Sequence, residues 1–236
     1  MQTDIDSDVG IEKKRFYYSL VIPFLLVLLM FLSFVLEKGM SWDFRTAGVF
    51  PLRIENLWGI FTMVFVHADW KHLFNNIVSF FVLSSALYYF YSSLATRILL
   101  LSYIFSGLML WFIGRESWHI GASGVIYALA FFLFVSGILR KYAPLIAISL
   151  IVVFLYGNIV WHLFPWEVYN RISWEGHLSG ATIGFILAII YRKKGPQKPV
   201  KVWEDEDEED EMHESTKARM GECTNLVRAK KMKSKI

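Results

Sequence analysis

Charge is scarce in this chain. Only 19% of its 236 residues are Asp, Glu, Lys or Arg, while 55% are hydrophobic and 17% aromatic. A soluble domain of this length carries more charge, so a single water-soluble globule is excluded and a polytopic membrane protein is indicated. Cysteine is nearly absent. The one thiol, Cys223, lies in a polar tail, which rules out an intramolecular disulfide and leaves the redox compartment unread. The net charge is only +3, and the charges fall in short clusters between apolar runs. There is no basic face suited to nucleic acid, and no nucleic-acid partner is expected.

What is present is a series of apolar runs. The first, Phe16 to Leu36, is long enough to span ~30 Å of hydrocarbon at ~1.5 Å per residue. No small-x-small cleavage site follows it, so it reads as a retained anchor. Five further spans are expected: His72 to Tyr91, Ile98 to Ile113, Ala122 to Leu139, Tyr142 to Trp161 and His177 to Tyr191. Between the first two lies the longest interruption, residues 37–71. Its Lys38, Arg45, Arg53 and Lys71 are balanced by Glu37, Asp43, Glu55 and Asp69. Within it Leu57 to Val66 is apolar but too short to cross, which suits a segment lying in the interface or re-entering it.

Six spans put both termini on one side. That side collects Lys13, Lys14, Arg15, Arg97, Arg140, Lys141 and Arg192 to Lys194, which places the termini in the cytoplasm. Eight of the nine tryptophans (Trp42, Trp58, Trp70, Trp111, Trp118, Trp161, Trp166 and Trp174) fall at or beyond the outer ends of spans. They read as an aromatic belt, or as an outer face that holds a loop and a cavity in the interface. The expected organisation is a cytoplasmic segment 1–15, a six-span core 16–192 and a charged, disordered tail 193–236. The tail includes the acidic run 204–211 and Trp203.

With this topology the second, fourth and sixth spans all start at the outer face. Their first turns lie at one depth, and they carry His72 and Asn76, Ser123 and Tyr127, and His177. Polar groups at that level cost free energy unless they pair or face water. His72 and Asn76 are four apart and share a helix face, as do Ser123 and Tyr127. Gly180 and Gly184 follow His177 as a stripe that lets a neighbouring helix approach, and the small residues around Ser123, Gly121 and Gly124 among them, offer the matching surface. The chemistry follows from residue type. A serine hydroxyl needs a base, here His177, and a carbonyl under attack needs fixed donors, here Asn76, His72 and the backbone N–H of Ser123. With no Asp or Glu inside any expected span, this is a dyad, and Tyr127 is placed to stack on the imidazole. Each residue also has a plainer reading: His177 as a helix–helix hydrogen-bonding residue, His72 and Asn76 as partners of backbone or water. His119, four residues before Ser123, is a competing base but lies in a loop. His162 is read as interfacial, and His67 as ordering the 57–71 segment through hydrogen bonds. A metal held by His67, His72 and His177 lacks carboxylate or thiolate ligands and a helical step, so no metal or cofactor is expected.

These residues resemble the rhomboid family of intramembrane serine proteases. Three motifs carry the resemblance, in order and on the right spans: His67-x4-His72-x3-Asn76, Gly121-Ala-Ser123-Gly124 with Tyr127, and Gly176-His177-x2-Gly180-x3-Gly184. It covers about residues 16–192. The resemblance implies an all-α membrane protein, a minimal six-transmembrane-helix bundle with a first outer loop partly embedded in the membrane. It implies Ser123 as nucleophile, His177 as base, and His72, Asn76 and the Ser123 amide as the oxyanion hole, in a water-filled cavity open to the outside. It further implies a serine endopeptidase that cuts transmembrane segments of membrane-protein substrates near the outer face. Such a protein sits in the lipid bilayer, in the cell membrane on this reading; its oligomeric state is left open. One departure stands out. Many members carry Trp-Arg in the first loop, where this chain has Trp58-Gly59, so the loop's hydrogen bonding must differ. Two other classes remain: a non-catalytic rhomboid-like binder or chaperone of membrane proteins, and a channel or transporter. The latter predicts polar residues continuing inward, and the spans instead turn apolar below their first turns.

Overall fold

The structure is a computed structural model that describes residues 2–157, 163–164, 173–199, 216–217 and 219–220. Trp161, His162, Trp166, Arg171, Trp203, the acidic run 204–211 and Cys223 lie outside the described residues. Met1–Lys198 form one unit and Pro199–Ile236 a second.

Among the described residues there are seven α-helices: α1 (Gln2–Gly39), α2 (Gly59–Thr62), α3 (Trp70–Phe90), α4 (Ala95–Ile113), α5 (Ser123–Arg140), α6 (Ala143–Tyr156) and α7 (Trp174–Ile190). They contain no strand; one isolated antiparallel bridge joins Val49 to His119. Helices α1, α3, α4 and α5 are long and apolar enough to cross a membrane, while α6, α7 and the segment around α2 are shorter apolar helices. Large apolar side chains such as Phe24, Phe74, Val78, Leu100, Phe105 and Phe154 are exposed along them. In water that surface would aggregate; against lipid it is the expected outer coat.

Helix α5 sits at the centre. Two thirds of its apolar stretch is buried (67%), against 22–33% for the other three long helices. Its most extensive partner is α7, and it also packs on α3, α4 and α6. Small residues explain the closeness of α5 and α7. A Cβ on Gly180 would run into the Gly124 carbonyl oxygen, and one on Gly184 into that of Ala128. Gly124 in turn faces the Gly176 carbonyl, 3.2 Å from where its own Cβ would be. Helices that touch through backbone gain dispersion contact where no hydrophobic drive separates them from lipid.

Two further joints matter for the site. At the far end of α5, buried Arg140 reaches the C-cap carbonyl of α7, Tyr191 (2.7 Å), and the carbonyls of Lys194 (2.7 Å) and Pro196 (2.9 Å) in the segment beyond it. Its Nε donates to Ser136 Oγ, and its guanidinium lies over the Tyr91 ring. The bond to Tyr191 satisfies a carbonyl that the helix end leaves open, and the other two fasten the turn that follows. At the near end, the 44–66 loop is sewn down by backbone. Val49 and His119 exchange both hydrogen bonds at 2.9 Å, and Gly121 N–H donates to Met63 O at 2.8 Å.

Gly59 lies against this layer. A Cβ there would strike the Gly48 carbonyl group, and a Cβ on Gly48 would be 2.5 Å from the His119 carbonyl oxygen. The loop arginine of the wider pattern therefore has no room here: the loop is packed backbone on backbone instead of being pinned by a long side chain.

Candidate active site

Ser123 is the first residue of α5, half-buried, and its N–H has no acceptor within the helix. Ahead of it the chain turns through Gly121, whose φ of +99° suits glycine alone. That bare Cα matters for a second reason. A Cβ on Gly121 would lie 2.7 Å from His72 Nε2 and 3.4 Å from Asn76 Nδ2. Two donors from the first turns of α3 thus converge on the backbone just before Ser123. Asp69 caps α3 by accepting the His72 N–H (2.8 Å), which fixes where that helix starts and how far its first turn reaches. Asn76 is 4% exposed, and its Nδ2 has no hydrogen-bonding partner among the described residues.

On the opposite side, Tyr127 and His177 stack face to face, centroids 4.2 Å apart and planes within 8°. Both are buried. Tyr127 stands one turn below Ser123 on the same face of α5, and His177 follows Gly176, which touches Gly124. The glycine contacts and the ring stack together hold the imidazole in the layer of Ser123. Between α5, α7 and the loops lies a pocket lined by Met63, Ser106, His119, Ser123, Gly124 and Ser173. It has room for about one water molecule.

His67 is fully buried, and within its own segment the Phe65 backbone bears on its ring. The ring packs edge-on against that of His72 at 5.1 Å. Burial, and then the neighbouring His72, hold its pKa down to about 3, so it is a neutral packing ring.

Helix α7 starts at Trp174, a turn earlier than the apolar pattern indicates, and this changes the inventory. Glu175 falls in its first turn, 2% exposed, so a carboxylate does lie inside this helix. It pairs with Arg115 at 3.5 Å. Ser173 caps the helix, its Oγ accepting from Gly176 N–H at 3.2 Å. His119, weighed as a rival base, has its Nδ1 2.6 Å from Ser173 Oγ and its Nε2 3.0 Å from the Arg115 carbonyl. A signal for this was present: serine, then an acid two residues on, ahead of an apolar run is a helix start. The apolar run beginning at His177 masked it.

The rhomboid domain family model matches residues 55–194, more than half of the chain. The chain belongs to the rhomboid family. It is also similar to mycobacterial proteins that are themselves uncharacterized. One, an uncharacterized protein of Mycobacterium bovis, is 32% identical over 171 residues, 70% of this chain and 71% of that protein. An uncharacterized protein of Mycobacterium tuberculosis matches equally, and one from Mycobacterium leprae is 30% identical over 69% of this chain and 67% of its own length. Membership and the long apolar helices make this rhomboid an integral membrane protein.

Proposed function

We propose that this rhomboid is an active intramembrane serine endopeptidase with a Ser123–His177 dyad. The supporting observation is the buried Asn76 amide, a donor without a partner that converges with His72 on the turn before Ser123. An unpaired buried donor costs about 1–3 kcal/mol, and this one lies beside the candidate nucleophile. A developing oxyanion at that point supplies the missing acceptor.

In this reading His177 takes the Ser123 proton as Oγ attacks the scissile carbonyl. The oxyanion is held by Asn76 Nδ2, the His72 ring N–H and the Ser123 amide. His177 then protonates the departing amine, and water hydrolyses the acyl-enzyme by the same route. Tyr127 keeps the imidazole in plane through its stack. We assign the catalytic core to 16–192, with α1, α3, α4, α5, α6 and α7 as its six spans, flanked by the 1–15 segment and the 193–236 tail, and with both termini cytoplasmic in the cell membrane. Substrates are transmembrane segments that can unwind near the outer face, because a spanning helix otherwise hides its peptide bonds.

The test is cleavage of a tagged single-span reporter in reconstituted membranes. Native protein is expected to cut in or beside the span, and Ser123→Ala and His177→Ala are expected not to. Equal cutting by all three overturns the assignment. If native protein cuts nothing, a fluorophosphonate probe decides: labelling of Ser123 that needs His177 marks an enzyme lacking its substrate, and no labelling marks a non-catalytic membrane-protein binder.

A further inference from the structure

His119 ties three parts of the molecule together. Through its backbone it is bridged to Val49 of the 44–66 loop, with both hydrogen bonds at 2.9 Å. Its Nε2 faces the Arg115 carbonyl at 3.0 Å, with Ser117 Oγ farther off at 3.3 Å, and its Nδ1 faces the hydroxyl of Ser173, the cap of α7. Chemistry fixes the direction of these bonds. A carbonyl only accepts, so Nε2 carries the hydrogen, and in a neutral ring Nδ1 must accept. The Ser173 hydroxyl therefore donates to Nδ1, leaving its oxygen lone pairs free to accept the Gly176 N–H. The ring is buried and its pKa is lowered, chiefly by loss of solvent, which agrees with the neutral form. Alongside, the Glu175–Arg115 pair joins the same loop to the same first turn. His177 begins its own helical bonding here: its N–H donates to the Ser173 carbonyl at 3.2 Å.

We propose that His119 is a positioning residue of the dyad. As a neutral ring protonated on Nε2, it fixes the Ser173 cap, and through it the depth and rotation of His177 against Ser123. This rests on the dyad reading above. It adds to the Tyr127 stack a second means of orienting the base, acting through the helix cap and not through the imidazole itself.

The experiment compares native protein with Ser173→Ala, Ser173→Thr, His119→Leu and His119→Gln. Two quantities are read in micelles: the second-order rate of fluorophosphonate labelling at Ser123, and hydrogen exchange of the 174–177 amides. Labelling is expected to slow at least ~10-fold in Ser173→Ala and His119→Leu, as small displacements of catalytic groups do. Exchange at 174–177 should quicken in both while α5 stays protected. Ser173→Thr keeps the hydroxyl and should restore both readings, and His119→Gln, which still offers a donor and an acceptor, should restore them in part. Native-like labelling and exchange in folded Ser173→Ala and His119→Leu overturn the proposal and leave the dyad standing. Slow labelling with unchanged 174–177 exchange also overturns it. Failure of native protein to label, with the Ser123→Ala control equally silent, removes the dyad and the proposal with it.

Discussion

At Asn76 two requirements meet, the cost of burying a polar group and the need for a fixed donor. Its Nδ2 faces Gly121 with no partner among the described residues. Asn76→Ala should therefore lower kcat about 10²- to 10³-fold, the range for loss of one oxyanion donor, with little change in KM. Steady-state cleavage of the reporter checks it; a rise in KM at constant kcat would assign Asn76 to ground-state binding. The Tyr127–His177 stack carries a different expectation. Tyr127→Phe keeps the ring face and should keep most activity. Tyr127→Ala forfeits the stack, about 0.5–1.5 kcal/mol beyond its buried area, and frees the imidazole to rotate. Matching activities for the two variants would deny the stack a role. What the structure brings together here, His72 and Asn76 at Gly121 and Tyr127 on His177, was legible in the sequence from residue type and spacing at the first turns of three helices. Ser173 and Glu175 were signalled by the serine-then-acid helix start but masked by the run that begins at His177. They precede the apolar run, and only the helix start at Trp174 turns them inward.

Among the elements, the α5–α7 contact is the least forgiving, since the obstruction at Gly180 and Gly184 is backbone and cannot rotate away. Gly180→Ala should cost about 1–3 kcal/mol, as overpacking does, and Gly180→Val should prevent folding. Unfolding in mixed micelles followed by tryptophan fluorescence measures this. The loop makes a less intuitive case. Gly59→Arg would bring the chain closer to many relatives, yet a Cβ there meets the Gly48 carbonyl. It should loosen the 44–66 loop and lower thermal stability; a gain in stability would mean that the loop repacks. The sequence showed that arginine was absent. It could not show why, because Gly48, Gly59 and His119 are far apart along the chain and meet only when Val49 pairs with His119.

For the whole molecule, stability should depend on pH in a definite direction. Above pH 6.5 His67 is neutral folded or unfolded. Below it the unfolded chain takes up a proton that the folded one, with His67 at about 3, refuses, so stability falls as pH drops from 6.5 toward 3. His119, also lowered, acts in the same sense. Melting temperatures at pH 7.5 and pH 5 should differ, and by less in His67→Phe; an unchanged gap would locate the dependence elsewhere.

Finally, consider how the molecule is bolted. Helices α5 and α7 are joined by glycine contacts beside Ser123 and His177 and by Arg140 at the opposite end, so they form a splint that cannot open without breaking the site. Helix α6 is held otherwise. Its grip on α5 is near its beginning, where Gly137 meets Leu145 and Ser149, whose hydroxyl is 2.9 Å from the Phe134 carbonyl. Along its outer face Leu150, Ile151, Val153, Phe154 and Leu155 stand exposed. The arrangement is that of a frame and a leaf: α5 and α7 form the frame around Ser123 and His177, and α6 is the leaf, fastened to α5 through Leu145 and Ser149.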